Sequence, residues 1–299
     1  MPYKIAIASG KGGTGKTTLS VNLFQNIAQQ FSQEVHLVDC DVEEPNDLIF
    51  FPNTQLEKAS TVFQLIPTID QAKCIYCRKC VEYCEFNAIV VIPPVKFAEV
   101  NSSLCHSCGA CIVACEDNAI TENPEAIGTI QHRTLSTGGS VSEGRLKVGS
   151  TMQTMMIKEL KKSVSEDTDI ILYDSPPGTS CPVVETIADA DFVILVTEPT
   201  PFGLYDLKLT VSLINNMGIP FGVIINKSNL GSNDVNLFLQ AEGIELLGEV
   251  PFSREYAALY SKGRIFNNIP DEILNAYNLI LQKLYNKIIQ YEGDQYFKW

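Results

Sequence analysis

The chain reads as an α/β protein: a mostly parallel sheet covered by helices on both faces, plus a small inserted α+β unit. Three observations predict this. Short, continuous apolar runs alternate with amphipathic segments at both ends of the chain, as buried parallel strands and their covering helices require. The alternation stops after about residue 60 and resumes near residue 151. Eight of the ten cysteines fall in that gap, in two copies of one spacing pattern. At 299 residues the chain can bury one large core, or one core and a small module.

The elements follow in order. Tyr3–Ala8 is a short branched-residue strand. From Lys16 to Phe31, Leu19, Leu23, Ile27 and Phe31 recur at helical spacing. Val35–Val38 is a second buried strand, ending at Asp39-Cys40-Asp41. Ile127–Ile130 and Arg145–Val148 read as short strands around a loop at 136–142, and 151–164 reads as a helix. Strands are then expected at 169–173, 192–196, 221–225 and 246–250, with helices at 203–216, 234–242 and 271–290. In the last helix Ile273, Leu274, Tyr277, Ile280, Leu281, Leu284 and Ile288 form an apolar stripe, and no basic face follows in 291–299. The implied division is 1–63 and 127–299 for the sheet domain and 64–126 for the insert.

Charge and cysteine usage narrow the function classes. A net charge of −13 disfavours non-specific binding to nucleic acid or anionic membrane. No apolar run is long enough to span a bilayer and no charged-then-apolar leader precedes the first strand, so a cytoplasmic protein with reduced thiols is expected.

Gly10-Lys11-Gly12-Gly13-Thr14-Gly15-Lys16-Thr17-Thr18 follows a strand and opens a helix, the context of a phosphate-binding loop. Its glycines let backbone N–H groups close around phosphates, and the helix N-terminus adds positive potential. Lys16 is expected on the β- and γ-phosphates and Thr17 on Mg²⁺. With the extra lysine Lys11, Asp39-x-Asp41 and Asp174-Ser-Pro-Pro-Gly178-Thr, the chain resembles the deviant Walker A P-loop ATPases. That group includes the MinD and ParA ATPases, the Mrp-type cluster carriers and the nitrogenase iron protein. The resemblance implies ATP hydrolysis, slow without a partner. It also implies dimerisation around two ATP molecules, with this chain or a paired ATPase of the same group, and Lys11 reaching the partner's nucleotide. By the same resemblance Asp41 positions or activates the attacking water, Asp174 stands near Mg²⁺, Gly178 lies on the second switch, and Asn226-Lys227 contacts the base. Asn229 replaces the usual Asp two residues after Lys227, which favours ATP over a guanine nucleotide.

Cys74, Cys77, Cys80, Cys84 and Cys105, Cys108, Cys111, Cys115 each read C-x2-C-x2-C-x3-C, repeated at 31 residues. Four thiolates with short spacers suit iron–sulfur or zinc, and the runs resemble a two-cluster bacterial ferredoxin. By that resemblance the fourth cysteine of each run crosses over. One [4Fe–4S] cluster takes Cys74, Cys77, Cys80 and Cys115, and the other takes Cys84, Cys105, Cys108 and Cys111. Glu85 and Glu116 stand where ferredoxins commonly carry proline. His106 is expected to be no ligand, Cys40 a small buried hydrophobe, and Cys181 outside the clusters.

The function expected from these residues is an ATP-hydrolysing iron–sulfur protein coupling nucleotide state to electron transfer. An assembly or carrier protein for iron–sulfur clusters or a metallocofactor is the alternative, and a positioning ATPase comes third. The expected partners are ATP, a second ATPase subunit and a redox or client protein that the sequence does not identify.

Overall fold

The computed structural model describes residues 1–31 and 33–296. Its elements are β1 (Tyr3–Ala8), α1 (Lys16–Gln30), β2 (Val35–Asp39), β3 (Thr54–Ile69), α2 (Lys79–Glu82), β4 (Ile89–Ile92) and β5 (Phe97–Val100). They continue with α3 (Ala110–Val113), β6 (Ile120–Leu135), β7 (Ser140–Leu146), α4 (Gln153–Ser163), β8 (Ile170–Asp174), α5 (Cys181–Ile187) and β9 (Phe192–Thr197). The last are α6 (Pro201–Met217), β10 (Phe221–Asn226), α7 (Asp234–Glu242), β11 (Leu246–Val250), α8 (Arg254–Tyr260) and α9 (Asp271–Tyr296).

Nine strands form one sheet in the order β11-β10-β9-β1-β8-β2-β7-β6-β3. Every ladder from β11 to β7 is parallel, and β7–β6 and β6–β3 are antiparallel. Period-2 alternation explains why these strands lie inside. Ile5 and Ile7 of β1 pack with α1, α8 and α9, whereas Ala6 and Ala8 pack with α4, α5, α6 and α7. Both faces are therefore dry, which accounts for runs such as Ile170–Tyr173 that carry no polar residue. The apolar stripe of α9 closes the first of these cores, except that Leu274 faces outward. Lys298 of the C-terminal tail lies outside the described residues. Among the described residues no helix is long and apolar enough to cross a membrane.

The largest departure from the sequence expectation is the pair β3 and β6. Only Ile127–Ile130 reads as strand from the sequence, yet β6 spans sixteen residues and pairs with the equally long β3 from Thr54↔Leu135 to Ile69↔Ile120. The expected boundaries at 63/64 and 126/127 fall in the middle of these continuous strands. Beyond their far end, residues 70–119 hold both cysteine runs, α2, α3 and the β4–β5 hairpin. β7 also begins earlier than expected, at Ser140, and Val148 is fully exposed.

Ser142 explains how a polar segment becomes a buried strand. Its Oγ lies 2.6 Å from both His36 Nε2 on β2 and His132 Nδ1 on β6. A hydroxyl donates to one ring and accepts from the other, so Ser142 bridges the two rings while both imidazoles are neutral, with His132 Nε2 left unpaired. Burial, then the proximity of His132, pushes His36 down to about 4. The unfolded histidine titrates near 6.5, so below that pH the unfolded chain takes up a proton that the folded chain refuses. The stabilisation is complete above about pH 6.5 and is lost progressively as pH falls towards 4. Calorimetric unfolding between pH 7 and 4 is expected to show a shallower loss of Tm in His36→Asn than in the wild type. Parallel pH profiles would refute this.

Candidate functional site

The parallel strands all deliver functional residues to one edge, their carboxyl ends, where open α/β sheets bind ligands. β1 leads into Ser9–Gly15, β2 into Asp39–Asp41, β8 into Asp174, β9 into Glu198, β10 into Asn226-Lys227 and β11 into Pro251-Phe252. Along this edge lies a cleft of about 460 Å³, within the range of small-molecule sites, lined from the loops after β1, β2, β8, β10 and β11. Gly12, Gly13, Gly15, Lys16, Thr17 and Thr18 form one wall and Asp41 faces them. Phe252, Tyr256 and Tyr260 form an aromatic side. Gly10, Lys11 and Thr14 lie on the other side of the loop, against α6. Gly178, at φ +101, donates its N–H to Ser9 O at 3.0 Å, tying the segment after β8 to the start of the loop.

Beneath the loop lie three buried carboxylates, Asp39, Asp47 and Asp174, with one oxygen of each within 4.8 Å of the others. Asp39 has a structural task. Its Oδ1 accepts from Asp41 N at 3.1 Å, and its Oδ2 accepts from Asn46 N and Asp47 N at 2.8 and 3.0 Å. It thereby shapes the loop that holds Asp41 out over the cleft. Asp174 Oδ2 accepts from Thr17 Oγ1 at 2.8 Å, while Oδ1 is buried with no hydrogen-bond donor. A hydroxyl, a carboxylate and an orphaned buried oxygen at one point suit a hard cation, so Thr17 and Asp174 fit Mg²⁺. Desolvation raises all three buried acids, and the Lys16 ammonium opposes the rise at Asp174. Burial, then Asp174, lifts Asp41 to about 6. Burial lowers Lys16, against the pull of Asp174 and Asp41.

Asn226 and Lys227, expected at the base, are turned towards the loop. Asn226 Nδ2 donates to Thr14 O at 2.7 Å and its Oδ1 accepts from Lys227 N at 2.9 Å. Lys227 Nζ donates to Gly13 O at 3.3 Å and to Glu198, which also pairs with Lys11 Nζ at 3.1 Å. Glu198 belongs to no motif, and only its position directly after β9 at the functional sheet edge could have drawn attention to it.

The cysteine runs form two cavities, each with an interleaved set of four sulfurs. Cys74, Cys77, Cys80 and Cys115 line one and Cys84, Cys105, Cys108 and Cys111 line the other, each with about 20 Å³ of free space. The 31-residue repeat is also a repeat of backbone conformation. Tyr76 and Ser107, Arg78 and Gly109, and Asn87 and Asn118 are pairs at that spacing, and all six have φ between +50° and +73°. Left-handed backbone at tyrosine or arginine is strained by roughly 1–3 kcal/mol each, and here it curls each loop around its cavity. Ala88 N and Ala119 N donate to Cys84 and Cys115 Sγ at 3.3 Å, and Ser107 N donates to Cys105 Sγ at 3.4 Å. Such N–H···S bonds stabilise thiolate ligands. Burial, then the neighbouring sulfurs, raises Cys80, and burial, then Cys105, raises Cys111 to about 11. Four thiolates around one cavity therefore call for a cation. Glu116 pairs with Lys79 at 2.6 Å, so its charge is countered locally. His106 stacks on Phe86 at a centroid distance of 3.8 Å. Cys40 is fully buried, and Cys181 is exposed at the start of α5, apart from both cavities.

Residues 5–266 match the CobQ/CobB/MinD/ParA nucleotide binding domain. The chain belongs to this family. Within it, the chain is 30% identical over 286 residues to the uncharacterized protein MJ0579 of Methanocaldococcus jannaschii, covering 91% of this chain and 96% of that one. It is 34% identical over 236 residues to MJ0578 of the same organism, covering 78% and 80%. It is also 26% identical over 313 residues to the iron-sulfur cluster carrier protein of Pyrococcus furiosus, covering 98% and 88%. The fold superposes on the cell division ATPase MinD of Pyrococcus furiosus with a TM-score of 0.58 at 18% identity, covering 96% and 99% of the two chains.

One consequence of the loop geometry is directly measurable. Gly15 has φ +94°, and a Cβ there would meet Asn226 Nδ2 at 2.2 Å. Gly15→Ala is expected to cost about 2 kcal/mol or more in unfolding free energy and to weaken nucleotide binding by roughly tenfold. Denaturant titration and fluorescent-nucleotide binding would check this, and wild-type values in both would contradict it.

Proposed function

We propose that this protein hydrolyses ATP and holds two resident [4Fe–4S] clusters, with nucleotide state coupled to electron transfer through the cysteine unit. The observation that carries the reading is the pair of interleaved four-cysteine cavities, joined by two continuous strands to the sheet that forms the cleft. The division into an ATPase domain of 1–63 and 127–299 and a cluster domain of 64–126 belongs to this reading.

In the cleft, Lys16 neutralises the β- and γ-phosphates, and Thr17 and Asp174 hold Mg²⁺. Asp41 orients the attacking water, and Lys11 reaches the nucleotide of a second subunit. Positioning and charge stabilisation are most of what phosphoryl transfer asks of a protein, so these few groups suffice. The second subunit is another copy of this chain or a paired ATPase of the family. Asn226 buttresses the loop while its side of the cleft receives adenine.

Cys74, Cys77, Cys80 and Cys115 hold one cluster, and Cys84, Cys105, Cys108 and Cys111 hold the other. When bound, such a cluster supplies one-electron chemistry. The spacing of the sulfurs favours a cubane over zinc. Tetrahedral zinc brings its four sulfurs to about 3.8 Å from one another. Among the described residues, the one set of three or more potential metal-binding side chains within 4.8 Å is the carboxylate trio.

A physical route joins the two regions. The loop bearing Asp41 accepts from β7 twice, Leu146 N to Val42 O at 2.7 Å and Arg145 Nη2 to Pro45 O at 3.4 Å. β7 pairs with β6, and Ala119 and Ile120 at the far end of β6 line the first cysteine cavity. A shift of the loop on hydrolysis would thus be felt by the strand that carries the cysteine unit.

A second reading, an ATP-dependent cluster carrier, is favoured by the similarity to the iron-sulfur cluster carrier protein of Pyrococcus furiosus. The two readings separate on lability: ATP-dependent transfer of iron and sulfide to an apo-acceptor supports the carrier, and retention supports resident clusters.

Three outcomes are expected of anaerobically prepared protein. Cys115→Ala removes the same EPR signal and the same four irons per chain as Cys74→Ala, while Cys84→Ala removes the other set. Independent grouping of Cys74–Cys84 and Cys105–Cys115 would overturn the ligand assignment. Separately, Asp41→Asn lowers kcat for ATP by about 10²-fold or more while nucleotide affinity stays within a few-fold. ATP affinity measured with oxidised and reduced clusters should differ, because linkage is reciprocal, and equal affinities would remove the coupling.

A further inference from the structure

Glu198 joins two lysines from separate loops of the site, and no part of the reading above uses it. Its residue is 8% exposed. It pairs with Lys11 of the phosphate loop at 3.1 Å and with Lys227 at the end of β10. The mount is rigid. Glu198 O accepts from Thr200 N at 2.8 Å and stands so close to Gly203 that a Cβ there would approach it to 2.2 Å. Lys227 takes a left-handed backbone, φ +55°, which a lysine adopts only under constraint, and its Nζ is shared between Glu198 and Gly13 O. Lys11 and Lys227 are similarly open, each with about a third of its side chain exposed to solvent.

In this arrangement Lys11 is folded back on its own subunit. To reach a nucleotide across an interface it must leave Glu198. Stripping a largely buried carboxylate of its only cation would leave its charge unpaired, which is strongly unfavourable. A second cation, already seated, removes most of that cost.

We propose that Glu198 is a positioning residue that holds Lys11 retracted in the single subunit. Pairing with a second copy draws Lys11 onto that copy's triphosphate, while Lys227 remains as the counter-ion of Glu198. The proposal rests on the reading that two subunits pair around ATP. Lys227 makes the release of Lys11 cheap, and Glu198 sets how much phosphate charge is needed to win it.

The two partners of Lys11 therefore have opposite signs in one experiment. ATP-dependent self-association is measured by sedimentation over a range of protein concentration, alongside the concentration dependence of ATP turnover. Glu198→Gln frees Lys11, and its dimer should form at about three- to ten-fold lower protein concentration than wild type. Lys227→Met leaves Lys11 as the one cation of Glu198, and its dimer should need a several-fold higher concentration. The double variant should follow Glu198→Gln, since without the carboxylate Lys227 has nothing to compensate. ATP-analogue binding to dilute, monomeric protein checks that each variant keeps its loop. Weaker association in both single variants, as for a purely structural ion pair, would overturn the proposal, as would no change in either. A wild-type chain that stays monomeric with ATP at every concentration would remove the pairing itself and the latch with it. Wild-type dimerisation with no gain in Glu198→Gln would remove the latch alone.

Discussion

Three carboxylates buried within 4.8 Å of one another set the terms for the rest of the cleft. Asp39, Asp47 and Asp174 repel one another in a region that water does not reach, and such a cluster is tolerable only beside cations and donors. The protein supplies these from three directions: the Lys16 ammonium, the Thr17 hydroxyl and the backbone N–H groups of residues 41, 46 and 47. The phosphate loop, the Asp41 loop and the end of β8 are thereby fixed to one another by charge. A ligand that brings a divalent cation and a polyphosphate redistributes that charge, and the Asp41 loop is the element free to respond, since its remaining ties run to β7.

Much of this was legible in the sequence, for identifiable reasons. The sheet domain announces itself because strands buried on both faces must be continuously apolar, and the phosphate loop because its glycines and lysine have no other common use. The ladder between β3 and β6 was not legible. Residues 55–61 are exposed on both faces, so no alternation marks them, and Pro67 and Pro124 argue against strand at the positions where the ribbon continues. Ser142 reads as loop because its two histidine partners are 106 and 10 residues away. Glu198 escaped for the same reason, since its meaning lies in two lysines brought from elsewhere in the chain.

The site residues divide along a similar line. Lys16, Thr17 and Asp41 line the cleft, Asp174 lies beneath it bonded to Thr17, and the cysteines line two cavities, each with sulfurs from both runs. Asn226 lines the cleft with both ends of its amide engaged, by Thr14 and Lys227, so it also supports the loop.

The chain leaves β3 at Ile69 and re-enters β6 at Ile120, and these two residues face each other across one ladder. The cysteine unit therefore begins and ends a single strand spacing apart, about 5 Å. Any folded segment whose termini meet that one condition could occupy the tip of this ribbon without disturbing the sheet beneath it, and so could a plain two-residue turn. The sheet edge is a socket. It lets the cysteine unit and the nucleotide-binding sheet share one uninterrupted pair of strands, and it makes the ribbon the natural place to graft, exchange or delete the unit.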